Sequence, residues 1–176
     1  MKKIFCAFLL TICCAMLFAE QQVSLTFKPY TFQALTDNEY DKAQSDYGIG
    51  GGLGYEISLF GTGFRAGADL YADTYFFDEK KNLVDLTFMG KAGYGFLLDE
   101  NTSRFAFLKY GLDIQLFNKK HSTVQVFGIE VGGSHKISKK LALSATVEGL
   151  FAFAKKGGDK YANYRVNTVL GMSYVL

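Results

Sequence analysis

Cysteine is missing from most of this chain, because Cys6, Cys13 and Cys14 all lie close to the amino terminus. The rest of the chain therefore has no means of building a disulfide framework or a thiolate metal site. Long apolar runs are missing as well, since no segment beyond residue 19 carries 18 successive apolar residues. This excludes a protein that crosses a membrane with helices. Proline occurs once and tryptophan not at all.

An excess of charge of one sign is also missing. The chain has 19 basic residues and 17 acidic residues. Lys2 and Lys3 fall within the first 19 residues, and without them basic and acidic residues balance at 17 each. A net charge near zero gives no electrostatic basis for binding nucleic acid, so no such partner is expected.

The first 19 residues have the three parts of an export signal. Lys2 and Lys3 form a short basic start, residues 4–18 are apolar apart from one threonine, and Ala19 precedes a polar stretch. The apolar run is shorter than the roughly 20 residues that a spanning helix needs. The pattern predicts a secretory signal peptide over 1–19 and export of the remainder.

A lipoprotein signal that ends at Cys13 or Cys14 is the alternative. Such signals place a small residue just before the cysteine, and Ile12 does not fit that requirement. We therefore predict cleavage after Ala19, which leaves residues 20–176 as one domain.

Beyond the signal, polar and apolar residues alternate along eight consecutive runs. Nineteen glycines, seventeen phenylalanines and eleven tyrosines favour strands and turns. Alternation with a period of two predicts β-strands that have one apolar face and one polar face. Because the gaps are short, the runs predict an antiparallel up-and-down meander, and closure into a barrel would remove both edges. The runs are 22–34, 47–60, 64–76, 83–97, 104–117, 123–137, 141–153 and 161–176.

Two local features refine this all-β prediction. In the first run the apolar phase shifts by one residue at Pro29, which predicts a β-bulge there. In the second run glycine occupies every other position over 48–54, and we expect it to leave room for bulky neighbours such as Tyr71. The glycine pattern does not match a nucleotide-binding loop.

Alternation alone does not decide which face points outward, and two interpretations follow. A transmembrane barrel turns its apolar face to lipid, whereas a soluble lipocalin-like barrel turns its apolar face inward to bind a hydrophobic ligand. The polar face is rich in glycine and serine, and the apolar face gathers aromatics near strand ends, among them Tyr47, Phe64, Phe96 and Tyr174. Aromatic girdles of this kind favour an eight-stranded transmembrane β-barrel.

The last run, 161–176, ends at the carboxyl terminus with the pattern Gly171-x-x-Tyr174-x-Leu176. This pattern resembles the signal by which outer-membrane β-barrels are recognised for insertion, with leucine in place of the usual terminal aromatic. The whole mature chain resembles the small eight-stranded outer-membrane barrels, the group of the OmpA membrane domain, OmpX and the Opa-type proteins.

The resemblance implies a location in the outer membrane, contact with its lipid, and assembly by the outer-membrane insertion machinery. It also implies that both termini lie in the periplasm. The outward gaps would then be 35–46, 77–82, 118–122 and 154–160, and the periplasmic turns 61–63, 98–103 and 138–140.

Charged residues of the polar face are expected inside such a barrel. Neighbouring strands would bring Asp69 to Lys91, Lys109 to Glu130, and Glu148 to Arg165. Buried charges must pair or stay hydrated, so we expect an interior plug of ion pairs. The alternative is a narrow pore that prefers cations, because acidic residues outnumber basic ones. The expected interior network is Glu56, Arg65, Asp69, Lys91, Lys109, Asp113, Glu130, Glu148 and Arg165.

Catalytic and metal-binding patterns are sparse. His121-Ser122, in an outward gap, is the pair that comes nearest to the histidine and serine of an outer-leaflet lipid hydrolase, and spacing assembles no triad around it. His135 has no partner histidine. We therefore predict no enzyme, no metal and no cofactor.

Paired lysines occur in the outward gaps. Their charge suits lipopolysaccharide or other surface anions. The predicted role is that of a structural or surface-interacting outer-membrane barrel. The pairs are Lys80-Lys81, Lys119-Lys120 and Lys155-Lys156.

Overall fold

The computed structural model of the chain describes residues 19–36, 44–59, 63–76, 82–117, 120–156 and 159–176. These residues form eight strands. The strands are β1 (Ala19–Thr36), β2 (Gln44–Leu59), β3 (Phe64–Phe76), β4 (Asn82–Leu97), β5 (Thr102–Phe117), β6 (Lys120–Lys136), β7 (Leu141–Lys156) and β8 (Asp159–Val175). No helix within these ranges is long and apolar enough to cross a membrane.

The eight strands form one closed barrel in sequence order, and each strand is antiparallel to both of its neighbours. Closure occurs between β1 and β8, where Gln22 pairs with Val175 and Leu25 pairs with Met172. The predicted up-and-down barrel is confirmed. Closure satisfies the backbone hydrogen bonds that an open sheet leaves at its edges.

We call the end of the barrel that carries Ala19 and Leu176 the terminal end. Its turns lie between β2 and β3, β4 and β5, and β6 and β7. Gly63 has a φ of 73° and accepts a hydrogen bond from the Gly95 N–H at 2.7 Å, a backbone conformation that favours glycine. At the other end of the barrel, called the opposite end, connecting residues lie outside the described ranges.

Several strands extend further toward the opposite end than the alternation predicted. β6 begins at Lys120 and β7 runs to Lys156, so part of the predicted gaps 118–122 and 154–160 is strand. His121 and Ser122 are therefore strand residues rather than gap residues, which corrects that prediction. Hydrogen bonding across a hairpin continues past the point where hydrophobic alternation stops, because it does not depend on side chains.

The predicted bulge lies at Pro29. Register against β8 passes from Phe27–Leu170 to Tyr30–Thr168, so β1 contains one extra residue there. The same shift occurs against β2. The bulge accounts for the phase shift in the sequence and turns Thr31 into the lumen.

The apolar face of the strands lies on the outside of the barrel. Leu53 and Leu108 are 61% and 69% exposed, and they belong to a continuous belt of large exposed apolar side chains. Charged residues such as Lys109 and Glu148 are buried in the lumen. A soluble barrel that holds a greasy ligand would require the reverse arrangement, so that alternative is wrong.

The lumen is not uniformly polar, although the sequence predicted a polar inner face and an apolar outer face. Val124, Val126 and Leu150 form a buried cluster with Met89 and Ala152. In the first part of β6 the valines point inward, although alternation of polarity suggested a polar interior face. A lumen that is filled by side chains excludes water locally, so apolar residues are stable there as well.

Candidate functional site: the barrel lumen

The glycines of β2 make room for the side chains of β3. Each of the four alternate glycines lies opposite a large or charged residue that points into the lumen. A methyl group added to Gly52 would collide with the Tyr71 ring, and one added to Gly50 would collide with the Asp73 carboxylate. The expected relation to Tyr71 is confirmed. The pairs are Gly48–Tyr75, Gly50–Asp73, Gly52–Tyr71 and Gly54–Asp69.

Nearest the terminal end, Glu56 lies between two basic side chains. Its carboxylate is 3.4 Å from Arg65 and 3.4 Å from Lys91. Lys91 also lies 3.0 Å from Asp69, the partner that the strand order predicts. Arg65 retains 19% side-chain exposure, so this first layer borders on water.

In the middle of the lumen, Lys109 is surrounded by carboxylates. Its ammonium group lies 2.8 Å from Asp69, 2.8 Å from Glu130 and 2.5 Å from Glu148. It also donates a hydrogen bond of 3.1 Å to the Tyr71 hydroxyl. Its side chain has no solvent exposure, so these partners replace water completely.

Lys28 forms the second cationic centre of this layer. Its ammonium group lies 2.9 Å from Asp73 and 3.5 Å from Glu148. It also lies 3.7 Å from the centre of the Tyr71 ring, a distance that suits a cation–π contact. Glu148 thereby joins the two lysines into one network that crosses the lumen.

Towards the opposite end, Arg165 binds two carboxylates across the barrel. It donates to Asp85 at 3.1 Å and to Asp113 at 2.7 Å. Thr87 donates a further hydrogen bond of 2.8 Å to Asp113. The fork geometry of a guanidinium suits two carboxylates at once.

The expected pair of Glu148 and Arg165 is therefore wrong. Register places Glu148 opposite Asn167, which donates to it at 2.7 Å, and places Arg165 opposite Leu150. Arg165 is long enough to cross the lumen, and a neighbour-by-neighbour argument from the sequence does not account for such a contact.

Three charged residues of the network were not among the interior residues predicted from the sequence. Asp73 and Asp85 follow the polar phase of their strands, so alternation could have identified them. Lys28 lies just before the bulge, in the same lumen-facing phase as Thr26. With these three included, the ion-paired network of the described residues holds five basic side chains against seven acidic ones, a formal difference of two. The basic residues are Lys28, Arg65, Lys91, Lys109 and Arg165, and the acidic ones are Glu56, Asp69, Asp73, Asp85, Asp113, Glu130 and Glu148.

The lumen is open to water only near the terminal end, within the ranges that the structure describes. A cavity of about 420 Å³ lies there, lined by residues that include Arg65, Ser103 and Lys136. It continues into a cavity of about 50 Å³ beside Lys91 and Tyr71. Beyond this point the charged side chains are closed off: Lys28, Asp73, Asp85, Asp113 and Glu148 have 0% exposure, and Arg165 has 1%.

The residues of the predicted insertion signal lie at the end of β8. Gly171 faces the lumen, whereas Tyr174 and Leu176 are 45% and 64% exposed on the outside. The Leu176 N–H donates to the Gln21 carbonyl oxygen at 2.9 Å, which holds the terminus against β1. The signal itself stays a prediction.

The remaining predicted residues divide between described and undescribed positions. His135 forms a hydrogen bond of 3.1 Å with the Thr102 hydroxyl on the outer face. Among the described residues no group of three or more histidine, cysteine or acidic side chains has metal-binding geometry. The side chains of His121 and Ser122 lie outside the described part of the chain, as do Lys80, Lys81 and Lys119 and the side chains of Lys120, Lys155 and Lys156. The predicted signal peptide lies outside it up to residue 18.

Comparison with known proteins identifies structures that are similar in fold alone. No protein-family model and no curated protein sequence matches this chain. Among solved structures, Neisserial surface protein A matches with a TM-score of 0.66 at 11% identity, over 89% of this chain and 97% of that one. A major outer membrane protein from Thermus thermophilus matches with a TM-score of 0.60 at 11% identity, over 90% and 99%.

A third match is Ail, the attachment invasion locus protein of Yersinia pestis. It has a TM-score of 0.50 at 14% identity and covers 90% of this chain and 99% of that one. The chain therefore has the fold of the small eight-stranded outer-membrane β-barrels. Because this fold is combined with an apolar outer belt, the chain is a transmembrane β-barrel.

Proposed function

We propose that this outer-membrane barrel is plugged by its own side chains and has a structural or surface-interacting role. The observation that carries the proposal is the layer formed by Lys28, Lys109, Asp73 and Glu148, whose side chains meet across the lumen with no solvent exposure. An ion that crossed this layer would have to lose its hydration and break ion pairs.

Conductance in planar bilayers tests this proposal. Protein that shows the heat-dependent gel mobility of a folded barrel should produce no stepwise current. Lys109→Ala removes the central cation of one closed layer and, combined with Arg165→Ala in the other, is the variant expected to open a path, whereas Lys139→Ala in an exposed turn should stay silent. Steps from the unaltered protein that change size in Lys109→Ala would overturn the plug.

A narrow cation-preferring channel is the second candidate, and the excess of two acidic residues in the lumen favours it. The cavities reach Lys91 from the terminal end, and the layers around Lys109 and Arg165 are the barriers beyond them in the described chain. Reversal potentials in a potassium chloride gradient would separate the two candidates. A cation-selective current from the unaltered protein would support the channel.

We propose that surface contacts are made at the opposite end. β6 begins at Lys120 and β7 ends at Lys155 and Lys156, which concentrates basic residues near that end. Lipopolysaccharide phosphates and other surface anions have matching charge. Replacing Lys155 and Lys156 by glutamine should weaken retention on immobilised lipopolysaccharide, and retention unchanged at low salt would contradict the contact.

The route to the membrane is part of the same proposal. Residues 1–19 direct export, and Gly171, Tyr174 and Leu176 are read by the insertion machinery. Deleting Leu176 should lower the yield of heat-modifiable barrel in the outer membrane. No catalytic step is proposed, because the seven carboxylates of the described lumenal network are engaged with basic side chains.

A further inference from the structure

Arg104 is a charged residue in the outward phase of the barrel, close to the terminal end. In register it lies between Phe96 of β4 and Gly133 of β6. Phe96 is 54% exposed and belongs to the apolar outer face. In the part of the chain that the structure describes, Arg104 forms no ion pair with a carboxylate. A guanidinium without a carboxylate partner beside apolar surface is suited to an anion from outside the protein.

An apolar groove of about 620 Å³ extends along the outer face from Arg104. Tyr94 and Phe96 form an aromatic wall, and Tyr94 is 59% exposed. Small and branched side chains of three neighbouring strands form the floor. These floor residues are Ala106, Val131, Gly133, Ala145 and Val147.

Gly133 keeps the groove open next to the cation. A methyl group added to Gly133 would lie 4.0 Å from Cδ of Arg104 and 3.0 Å from the Ser103 carbonyl oxygen. No side chain of β6 therefore stands between Arg104 and the groove. On the side of the terminal end, the hydrogen-bonded pair of Thr102 and His135 adds polar groups to the rim.

We infer that this groove binds an anionic phospholipid, with the headgroup phosphate at Arg104 and one acyl chain along the floor. Arginine binds phosphate with two parallel hydrogen bonds. Tyr94 and Phe96 mark the height of the membrane interface, because aromatic girdles lie at the level of the headgroups. The inference rests on the proposed membrane barrel and adds a specific lipid site to it.

A second outer groove offers an internal comparison. It has about 680 Å³ and is lined by Ala92, Leu108, Tyr110 and Phe127. Lys91 and Lys109 also border it, but both ammonium groups are turned into the lumen and engaged by carboxylates. This second groove has room for an acyl chain but no available cation. It should therefore bind anionic and neutral phospholipids with equal affinity.

Fluorescence quenching by brominated phospholipids tests the site, because the chain contains no tryptophan. Phe96→Trp would report on the Arg104 groove and Phe127→Trp on the second groove. Each variant is inserted into phosphatidylcholine bilayers that contain brominated phosphatidylglycerol or brominated phosphatidylcholine. At residue 96 phosphatidylglycerol should associate about fivefold more strongly, and at residue 127 the two lipids should associate equally.

Charge variants decide the role of Arg104. Arg104→Gln in the Phe96→Trp background should remove the preference, whereas Arg104→Lys should keep most of it. Equal association at residue 96, or a preference that survives Arg104→Gln, would overturn the site. Heat-modifiable mobility checks insertion first, and Tyr94→Trp replaces Phe96→Trp if the latter does not fold. A chain that never inserts would instead overturn the membrane barrel itself.

Discussion

Lys109 and Glu148 form an ion pair in the middle of the barrel, and neither side chain is exposed to solvent. Lys109 comes from β5 and Glu148 from β7, so the pair spans β6 and ties non-neighbouring strands together. Glu148 also approaches Lys28 of β1 at 3.5 Å. Hydrogen bonds between neighbouring strands close the wall of the barrel, and this network fills its lumen.

Replacing Lys109 by methionine should lower the free energy of unfolding by about 3–5 kcal/mol, because Asp69, Glu130 and Glu148 would be left around a site without its cation. Urea unfolding of the barrel in micelles, followed by gel mobility, measures this loss. Lys139→Met in an exposed turn is the matched control and should change little.

The double variant Lys109→Met/Glu148→Gln should recover part of that loss, because it also removes one of the negative charges that Lys109 had neutralised. A single variant as stable as Lys139→Met would contradict the stabilising role of the network.

Gly52→Ala should destabilise the barrel by about 1–3 kcal/mol, because the added methyl group collides with the Tyr71 ring and the Leu70 carbonyl oxygen. Gly149→Ala is the control, since nothing lies within 4 Å of the position its methyl group would take. Paired urea titrations compare the two. Equal stabilities would show that β2 and β3 pack less closely than described.

Leu70→Arg should lower stability in a bilayer by about 2–4 kcal/mol, the cost of a cation near the membrane midplane. Leu70 is 50% exposed on the outer face near the middle of β3. Ile137→Arg, in an exposed turn at the terminal end, should cost little. If both variants insert and unfold alike in lipid vesicles, the outer belt does not face hydrocarbon.

Asp99 should titrate below the ordinary range of an aspartate. The backbone N–H groups of Asn101 and Thr102 donate to its carboxylate at 2.8 and 2.7 Å, and these hydrogen bonds lower its pKa. Because the folded-state pKa is lowered, the turn is stabilised above the ordinary pKa, and this contribution disappears as pH falls through the folded value.

Carbon-13 NMR of the Asp99 carboxyl in micelles measures that pKa directly. A midpoint at or above the usual value of about 3.9 would contradict the turn geometry. In Asp99→Asn the two backbone hydrogen bonds should become independent of pH in this range.

Much of the fold could be predicted because alternate residues of a β-strand face two different environments and therefore differ in polarity. The phase shift at Pro29 predicted the bulge, and the glycines of 48–54 predicted the room that Tyr71 occupies. The predicted positions of strand ends were less accurate, as at Lys120 and Lys156, because backbone pairing near a hairpin continues where hydrophobic alternation has stopped.

The candidate site was predictable only in part. Asp69 and Lys91 come from neighbouring strands, and adjacency in a meander follows from sequence order. Arg165 meets Asp85 and Asp113 across the lumen, and that contact depends on barrel curvature, strand stagger and the reach of a long side chain.

The sequence by itself determined that side chains along each strand alternate between an apolar and a polar environment. The strands therefore build a barrel whose inner and outer faces differ. The tertiary structure confirmed the apolar outer face that the aromatic girdles favoured, and it alone decided that the buried charges converge on Lys109 and Arg165 and that valines share the lumen with them. The physical reason is that alternation is a local property of the backbone, whereas inside and outside are defined only when β8 closes against β1.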